Sequence, residues 1–201
     1  LSTLHLWIRS MECFLHISYR LGFKKWQARG SDKILKQEKQ KKVQKEMRTA
    51  LGINVDVPKS GGASNSNDGN TARRFFKGYK KAAEVLGMNE ELMFRFYVTL
   101  CILSSNEDID PDKLKDYNKE TARMYISMYN WYNIPQAVHK MLAHGHQVVR
   151  IKALPVGSLS EEPQESSNKV FKHSREHHTR KFSRVQTNYD LMSRMLCSSD
   201  P

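Results

Sequence analysis

Apolar residues recur every three or four positions along most of the chain, and this helical period limits its fold more than any other feature. The first segment shows the period well, because its apolar side chains would form one stripe along a helix. The members of that stripe are Leu4, Trp7, Ile8, Met11, Phe14, Leu15 and Leu21. An alternating, strand-like pattern occurs at Ile53–Val57. The sequence therefore predicts a mainly α fold with at most one short strand.

Breaks in the period divide the chain into segments. Pro111 is favourable in a first helical turn, and Gly87 is a suitable helix end. The run of Gly, Ser and Asn at 60–70 predicts a loop, since it has little apolar surface to offset its ordering entropy. The predicted helices cover the first stripe, 31–51, 71–87, 89–104, 111–128, 135–151, a segment after Ser160 and a segment around Leu191. The predicted regions are 1–58, 59–70, 71–157 and 158–201.

The formal net charge is +12, which indicates an acidic partner, most often a nucleic acid. The second predicted helix concentrates this charge, with Lys36, Lys39 and Lys42 among its lysines. Three widely separated cysteines without a Cys-x-x-Cys pair favour a reducing compartment over a disulfide framework. No apolar run is long enough to predict a membrane span.

The chain starts at Leu1 inside an apolar periodic pattern, which is typical of a piece of a longer protein. We therefore expect the first apolar stripe to lack its packing partner. Such a fragment would be marginally stable and prone to association, as exposed apolar patches are.

Three carboxylates, Glu161, Glu162 and Glu165, precede a strongly basic segment. Acidic residues in a first helical turn complement the helix dipole, which is one interpretation. The other is a metal-binding carboxylate beside a phosphate-binding surface. Two-metal phosphoryl transfer uses carboxylates to hold divalent ions, so this interpretation needs partner aspartates from elsewhere.

Two further local patterns each allow two interpretations. His139 and His144 are potential zinc ligands or ordinary polar histidines, and a spacing of five places them on different sides of an ideal helix. The loop at Asp68 and Gly69 leads into a helix that carries Arg73 and Arg74, and it would bind phosphate or simply cap the helix. It lacks the Gly-Lys-Ser/Thr ending of a Walker A motif.

These patterns occur in an order that resembles a known family. The segments Gly69–Arg73, Val138–His144 and Ser160–Lys169 resemble the C-terminal catalytic region of the Transib transposases and of the catalytic subunit of the V(D)J recombinase. The similarity extends over most of the chain from about Leu4, although each motif alone is weak.

The resemblance implies the helical insertion and C-terminal region of a ribonuclease-H-like transposase, with the catalytic sheet largely missing. It implies Glu165 as the third acidic ligand of Mg²⁺ or Mn²⁺, with two aspartates upstream of this chain. It also implies His139 and His144 as two of four ligands of a structural Zn²⁺, completed by an upstream cysteine pair. DNA contacts are expected at Lys36, Lys39, Lys42, Arg73, Arg74, Lys169, Lys172, Arg175, Arg180, Lys181 and Arg184.

The implied activity is metal-dependent DNA cleavage and strand transfer by the intact protein, with this chain alone inactive. The intact protein is expected to be a nuclear homodimer without a membrane anchor or a small-molecule substrate. Three alternatives stay open: a domesticated, catalytically inactive DNA-binding protein, a basic helical protein-interaction module, and an RNA-binding helical protein. RNA is the less favoured ligand, because no recognition signature with interleaved aromatic residues is visible.

Overall fold

A computed structural model describes residues 2–58, 65–159 and 162–199, with the backbone alone at 162–166 and 198–199. Within these residues the chain is mainly helical and has no strand, which confirms the predicted mainly α class. The helices are α1 (Thr3–Ser18), α2 (Asp32–Leu51), α3 (Gly69–Lys77), α4 (Tyr79–Leu86), α5 (Glu90–Ser104), α6 (Pro111–Tyr129), α7 (Gln136–Ile151), α8 (Glu162–His177) and α9 (Arg184–Ser199). They form two compact units, Leu1–Ser160 and Glu161–Pro201, here called the first and second unit.

The core of the first unit is built around α1, which packs against α3, α4, α5 and α7. Phe14 is fully buried and meets the rings of Phe96 and Phe76 edge-on, at centroid distances of 4.8 and 6.0 Å. The indole Nε1 of Trp7 donates a 2.8 Å hydrogen bond to the hydroxyl of Ser104 at the end of α5. Edge-on aromatic contacts add to the free energy of simple area burial, so this cluster fixes how α1, α3 and α5 pack.

The expectation that the first apolar stripe lacks a packing partner is wrong. Met11, Leu15 and Ile17 are fully buried, and even Ser10 and Ser18 are covered. The stripe of α1 is enclosed because helices far along the chain return to it, and a helical period does not show which later segment will do so.

The alternating segment at Ile53–Val57 is not a strand. Ile53 and Val55 are buried as the alternation predicts, but Asp56 has φ of +51°, a left-handed conformation that extended strands do not contain. The nearest approach to a ladder is an isolated bridge between Pro58 and Asn65. Ile53 and Val55 pack into the core without a strand partner among the described residues, whereas Val57 is 40% exposed.

The single helix predicted over 71–87 is two helices that meet at Gly78. A Cβ at Gly78 would stand 2.5 Å from Cδ2 of Leu51, so the absence of a side chain lets this junction lie against the end of α2. Gly87 ends α4 with φ of +68°, in agreement with the predicted helix end.

The second unit is a pair of helices, α8 and α9, that pack on each other. Its start at Glu161 lies close to the predicted boundary between residues 157 and 158. Among its described side chains only Ser174 and Leu191 are buried. The predicted capping residue Ser160 lies outside the described residues.

None of the described helices combines the length and the apolar character needed to cross a lipid bilayer.

Candidate nucleic-acid interface and histidine pair

The basic surface of the first unit lies on α2. This helix is anchored by Val43 and Met47, which are fully buried, while most of its other side chains face solvent. Its cations are Lys33, Lys36, Lys39, Lys41, Lys42, Lys45 and Arg48. Within the described part of the chain, only Lys42 has a carboxylate within 4.0 Å, at 3.8 Å from Glu46. Helix α2 therefore presents a row of largely uncompensated positive charges.

The three lysines predicted to contact DNA divide between two cavities beside α2. Lys39 and Lys42 line a cavity of about 530 Å³ that Lys81 of α4 also lines, together with Glu46 and Glu84. Lys36 lines the other cavity, of about 570 Å³, on the side of the turn that follows α1. Glu46 and Glu84 partly offset the charge of the cavity at Lys39 and Lys42. The cavity at Lys36 is therefore the more positive of the two.

The structure gives Arg73 and Arg74 contacts within the protein. The Arg73 guanidinium lies over the ring of Trp7, 5.6 Å from its centroid, as in a cation–π contact. Nη2 of Arg74 donates a 3.1 Å hydrogen bond to the carbonyl oxygen of Leu51, one of the carbonyls left open at the end of α2. Both arginines therefore help join α3 to its neighbours, whatever they contact outside the chain.

The start of α3 favours the capping interpretation of the Asp68–Gly69 loop. Asp68 is the N-cap, and its Oδ1 accepts a 2.9 Å hydrogen bond from the backbone N–H of Thr71. A carboxylate at this position supplies the negative charge that a bound phosphate would otherwise supply. A Cβ at Gly69 would stand 2.4 Å from Cδ1 of Leu4, so this glycine permits close packing.

A second basic surface lies on α8. Lys169, Lys172 and Arg175 are exposed, and their spacing of three keeps them within a sector of about 120° around the helix. Lys172 lies 3.9 Å from Glu176, a weak surface ion pair. Lys181 and Arg184 are also exposed, and they follow in the turn and at the start of α9. The predicted basic face is therefore interrupted after His177, and Arg184 belongs to the next helix.

Arg180 differs from the other predicted DNA contacts, because an aspartate holds it. Its Nη2 and Nε donate to the two carboxylate oxygens of Asp190 at 2.7 and 3.1 Å, and its backbone N–H donates to Oδ2 at 2.8 Å. These hydrogen bonds hold the pKa of Asp190 well below its usual range. Arg180 thus fixes the turn between α8 and α9, and its guanidinium is already engaged.

Glu165 lies in the first turns of α8, and its side chain is outside the described residues, as is Glu161. No group of three or more His, Cys, Asp or Glu side chains suited to a metal ion occurs in the part that the structure describes. Glu165 therefore stays a sequence-based prediction.

The structure brings together the rings of His139 and His144, although their spacing suggested different sides of α7. Their centroids are 5.3 Å apart, with 70° between the ring planes. Both residues lie on α7, so the approach depends on the individual directions of the two side chains, which the residue spacing does not give. Two imidazoles bound to one tetrahedral zinc ion have centroids roughly 5 Å apart, as follows from a Zn–N length of about 2.0 Å. The pair has the separation that a shared zinc ion would require.

One ring nitrogen of His144 has a partner on the same helix. Its Nδ1 lies 3.0 Å from Oε1 of Gln147, so its Nε2 is left for another partner. Metal-binding histidines commonly use their second nitrogen in this way, which fixes the ring. Both rings are exposed, and a structural zinc site that used them would need two more ligands.

The residues that complete the cavity around Lys36 were not predicted from the sequence. Arg20 and Trp26 line it together with Lys33, and they come from the turn between α1 and α2. The available signal was Trp26 itself, an aromatic residue within the polar stretch Lys24–Gln27 and outside any apolar stripe.

The chain matches no known protein family model, and no curated protein matches it significantly.

Proposed function

We propose that this chain binds DNA as the C-terminal part of a transposase or recombinase of the Transib and V(D)J-recombinase type. The observation that carries the proposal is the row of largely uncompensated cations on α2, with a second group on α8. Lysine and arginine side chains of this kind neutralise backbone phosphates and release counterions, which supplies affinity without reading sequence.

The histidine pair supports the same assignment. The ring separation of His139 and His144 fits two ligands of one Zn²⁺ ion, which is the role that the family resemblance implies for them. A cysteine pair from elsewhere in the intact protein would complete the ion's coordination. In that arrangement zinc would be structural and would tie α7 to the segment that carries the cysteines.

Strand cleavage belongs in this proposal to the intact protein. Glu165 on α8 would be one of three acids that hold Mg²⁺ or Mn²⁺, and the described residues provide no such group by themselves. The chain alone is proposed to bind DNA without cutting it, and the intact protein to act in the nucleus.

The test is a titration of a labelled DNA duplex at several salt concentrations. The α2 variant Lys36→Ala/Lys39→Ala/Lys42→Ala is compared with Lys80→Ala/Lys113→Ala/Lys119→Ala, which removes the same charge from exposed positions on α4 and α6. We expect log-linear loss of affinity with salt, and a slope that falls by about 0.9 for each phosphate contact removed from α2. Equal effects of the two variants would show that net charge, and not the α2 surface, governs binding.

A stripe of exposed apolar residues on α9 favours a second candidate, a protein-interaction surface that would also suit the expected homodimer. Val185, Tyr189, Met192 and Leu196 are each at least 67% exposed and follow helical spacing. The double variant Met192→Glu/Leu196→Glu should reduce self-association, measured by light scattering after size-exclusion chromatography, without changing DNA affinity. Monomeric wild-type protein at high concentration would argue against a self-association surface.

A further inference from the structure

The cavity between the end of α1 and the first half of α2 combines positive charge with an exposed aromatic ring. Its volume is about 570 Å³, and its lining includes Arg20, Lys33 and Lys36 as cations and Trp26 as the aromatic side chain. Gln37 and Gln40 add amide groups, and no carboxylate is among the described residues that line it. Such a lining is suited to an anionic ligand that also carries a flat apolar surface.

Trp26 is held in place from within the first unit. Its ring lies 4.7 Å from that of Tyr132, which is buried, while Trp26 itself is 41% exposed. Exposure of so large an apolar side chain beside three cations leaves its ring accessible to a planar group. Every nucleic-acid base has such a face, and stacking of a base on an aromatic side chain tolerates any sequence.

Arg20 is fixed in the wall of the cavity. Its Nη1 donates to the carbonyl oxygen of His16 at 2.7 Å and its Nε to that of Trp26 at 3.1 Å. Its guanidinium also lies 5.6 Å from the ring centroid of Tyr132. Nη2 makes no hydrogen bond with the described residues, so the positioned guanidinium has a donor left for a ligand oxygen.

Lys36 faces the same cavity without a close counter-ion in the described chain. Burial lowers the pKa of Lys36, the Arg20 charge lowers it further, and Asp56 acts in the opposite direction. Both carboxylate oxygens of Asp56 are already engaged, one by the hydroxyl of Tyr19 at 2.8 Å and the other by the amide of Asn67 at 2.6 Å. Asp56 therefore acts on Lys36 only from beyond ion-pair distance, and an incoming phosphate would meet three cations in a cavity without a lining carboxylate.

We propose that this cavity binds an unpaired nucleotide of a DNA strand, with the base stacked on Trp26 and the phosphate held by Arg20, Lys33 and Lys36. The inference rests on the proposed DNA-binding function and deepens it. The α2 surface, Lys36 included, would still contact duplex phosphates, and the cavity adds a site for a nucleotide that has left the base stack, which a paired duplex does not offer.

The experiment measures binding of the full chain to three fluorescein-labelled probes by anisotropy. The probes are a pentathymidine strand, an abasic strand of the same length and charge, and a fully paired duplex. We expect pentathymidine to bind about tenfold more tightly than the abasic strand, the range that one stacked base accounts for. Trp26→Leu should remove this difference, and Trp26→Phe should retain most of it, which separates stacking from folding.

The contribution of the cavity lysines to binding can be tested against a matched control on the same helix. Lys33→Ala/Lys36→Ala should weaken binding of both single strands more than Lys41→Ala/Lys45→Ala, which removes equal charge from exposed positions outside the cavity. Equal binding of the pentathymidine and abasic strands, or an unchanged preference in Trp26→Leu, would overturn the nucleotide site. If the duplex still binds with the expected salt dependence, only this inference fails; if no probe binds, the proposed function fails with it.

Discussion

The two units differ in where they place their large apolar side chains. In the first unit, Phe14, Phe75, Phe76 and Phe96 are fully buried and lie in one continuous core. In the second unit, Phe171 and Phe182 are exposed, as is the apolar stripe of α9. A core of the first kind supports cooperative folding, whereas two helices with few buried side chains gain little from packing on each other. The comparison indicates that stability resides in the first unit and that surfaces for partners are prominent in the second.

We expect the largest difference between the two units when one phenylalanine in each is replaced by alanine. Phe14→Ala should lower the free energy of unfolding by about 3–5 kcal/mol, because it leaves a cavity between two other rings. Phe171→Ala should change it by less than about 0.5 kcal/mol, as expected for an exposed position. Urea denaturation followed by circular dichroism gives both values. Similar losses would mean that the second unit is packed more tightly than described.

A single sharp transition of the first unit would also contradict the sequence-based expectation of marginal stability. The burial of the α1 stripe now favours such a transition, while the exposed stripe of α9 keeps association as the expected behaviour of the second unit.

We expect the next largest effect on the free energy of unfolding from a hydrogen-bond network around Arg95, between α5 and α6. Arg95 is nearly buried, and it donates to the hydroxyl of Thr121 at 3.0 Å, the carbonyl oxygen of Tyr117 at 3.1 Å and the carboxylate of Glu120 at 2.9 Å. Arg95→Met should cost about 2 kcal/mol of unfolding free energy, since it removes three hydrogen bonds that join α5 to α6, one of them to a carboxylate. Exposed Arg194→Met in α9 is the matched control and should be almost neutral. A neutral Arg95→Met would show that packing alone holds α5 to α6.

Each unit also contains a helix cap that can be removed by one substitution. Asp68 caps α3 through the N–H of Thr71, and the hydroxyl of Ser183 accepts from the N–H of Gln186 at 3.1 Å at the start of α9. Asp68→Ala and Ser183→Ala should each cost about 1 kcal/mol of local helix stability. In hydrogen-exchange measurements, Asp68→Ala should lower protection across the core of the first unit. Ser183→Ala should lower protection only in α8 and α9. Loss spread over both units by either variant would show that they unfold together.

The smallest expected effect is the acid response of the second unit. Because the folded-state pKa of Asp190 is depressed, its contacts with Arg180 stabilise the fold above the ordinary aspartate pKa and are lost as pH falls toward the folded value. The α8–α9 turn should therefore keep its structure at pH 4 and loosen only in stronger acid, as amide chemical shifts would show. Asp190→Asn should remove this response. If the turn loosened near neutral pH, the histidines of α8, and not Asp190, would be responsible for the response.

Local signals predicted most helix boundaries. Pro111 and Gly87 mark observed helix ends, and the segments 31–51, 89–104 and 135–151 differ from α2, α5 and α7 by a residue at most. The break at Gly78 was missed because one glycine inside a periodic pattern is compatible with a continuous helix. The alternation at 53–57 correctly indicated buried Ile53 but could not show the left-handed backbone of Asp56.

The candidate sites were harder to predict, because each depends on side-chain directions or on distant segments. The separation of His139 and His144 depends on the direction of each side chain, which a helical wheel does not show. The cavity at Trp26 needs the chain to turn back between α1 and α2, so its cations are adjacent only after folding. From the sequence, Arg180 does not differ from the other cations of its segment. Its hydrogen bonds to Asp190, ten residues later, are known only from the structure.

The three thiols of the chain make it convenient for spectroscopy without any substitution. Cys13 is buried, and burial raises its pKa to about 12, so it stays protonated and unreactive toward maleimides. Cys101 on α5 and Cys197 on α9 are exposed, one in each unit. Burial raises the pKa of Cys101, with an opposing contribution from its hydrogen bond to Tyr97, which should slow its labelling. Paramagnetic or fluorescent tags on these two native positions would report the distance between the units directly, with and without DNA.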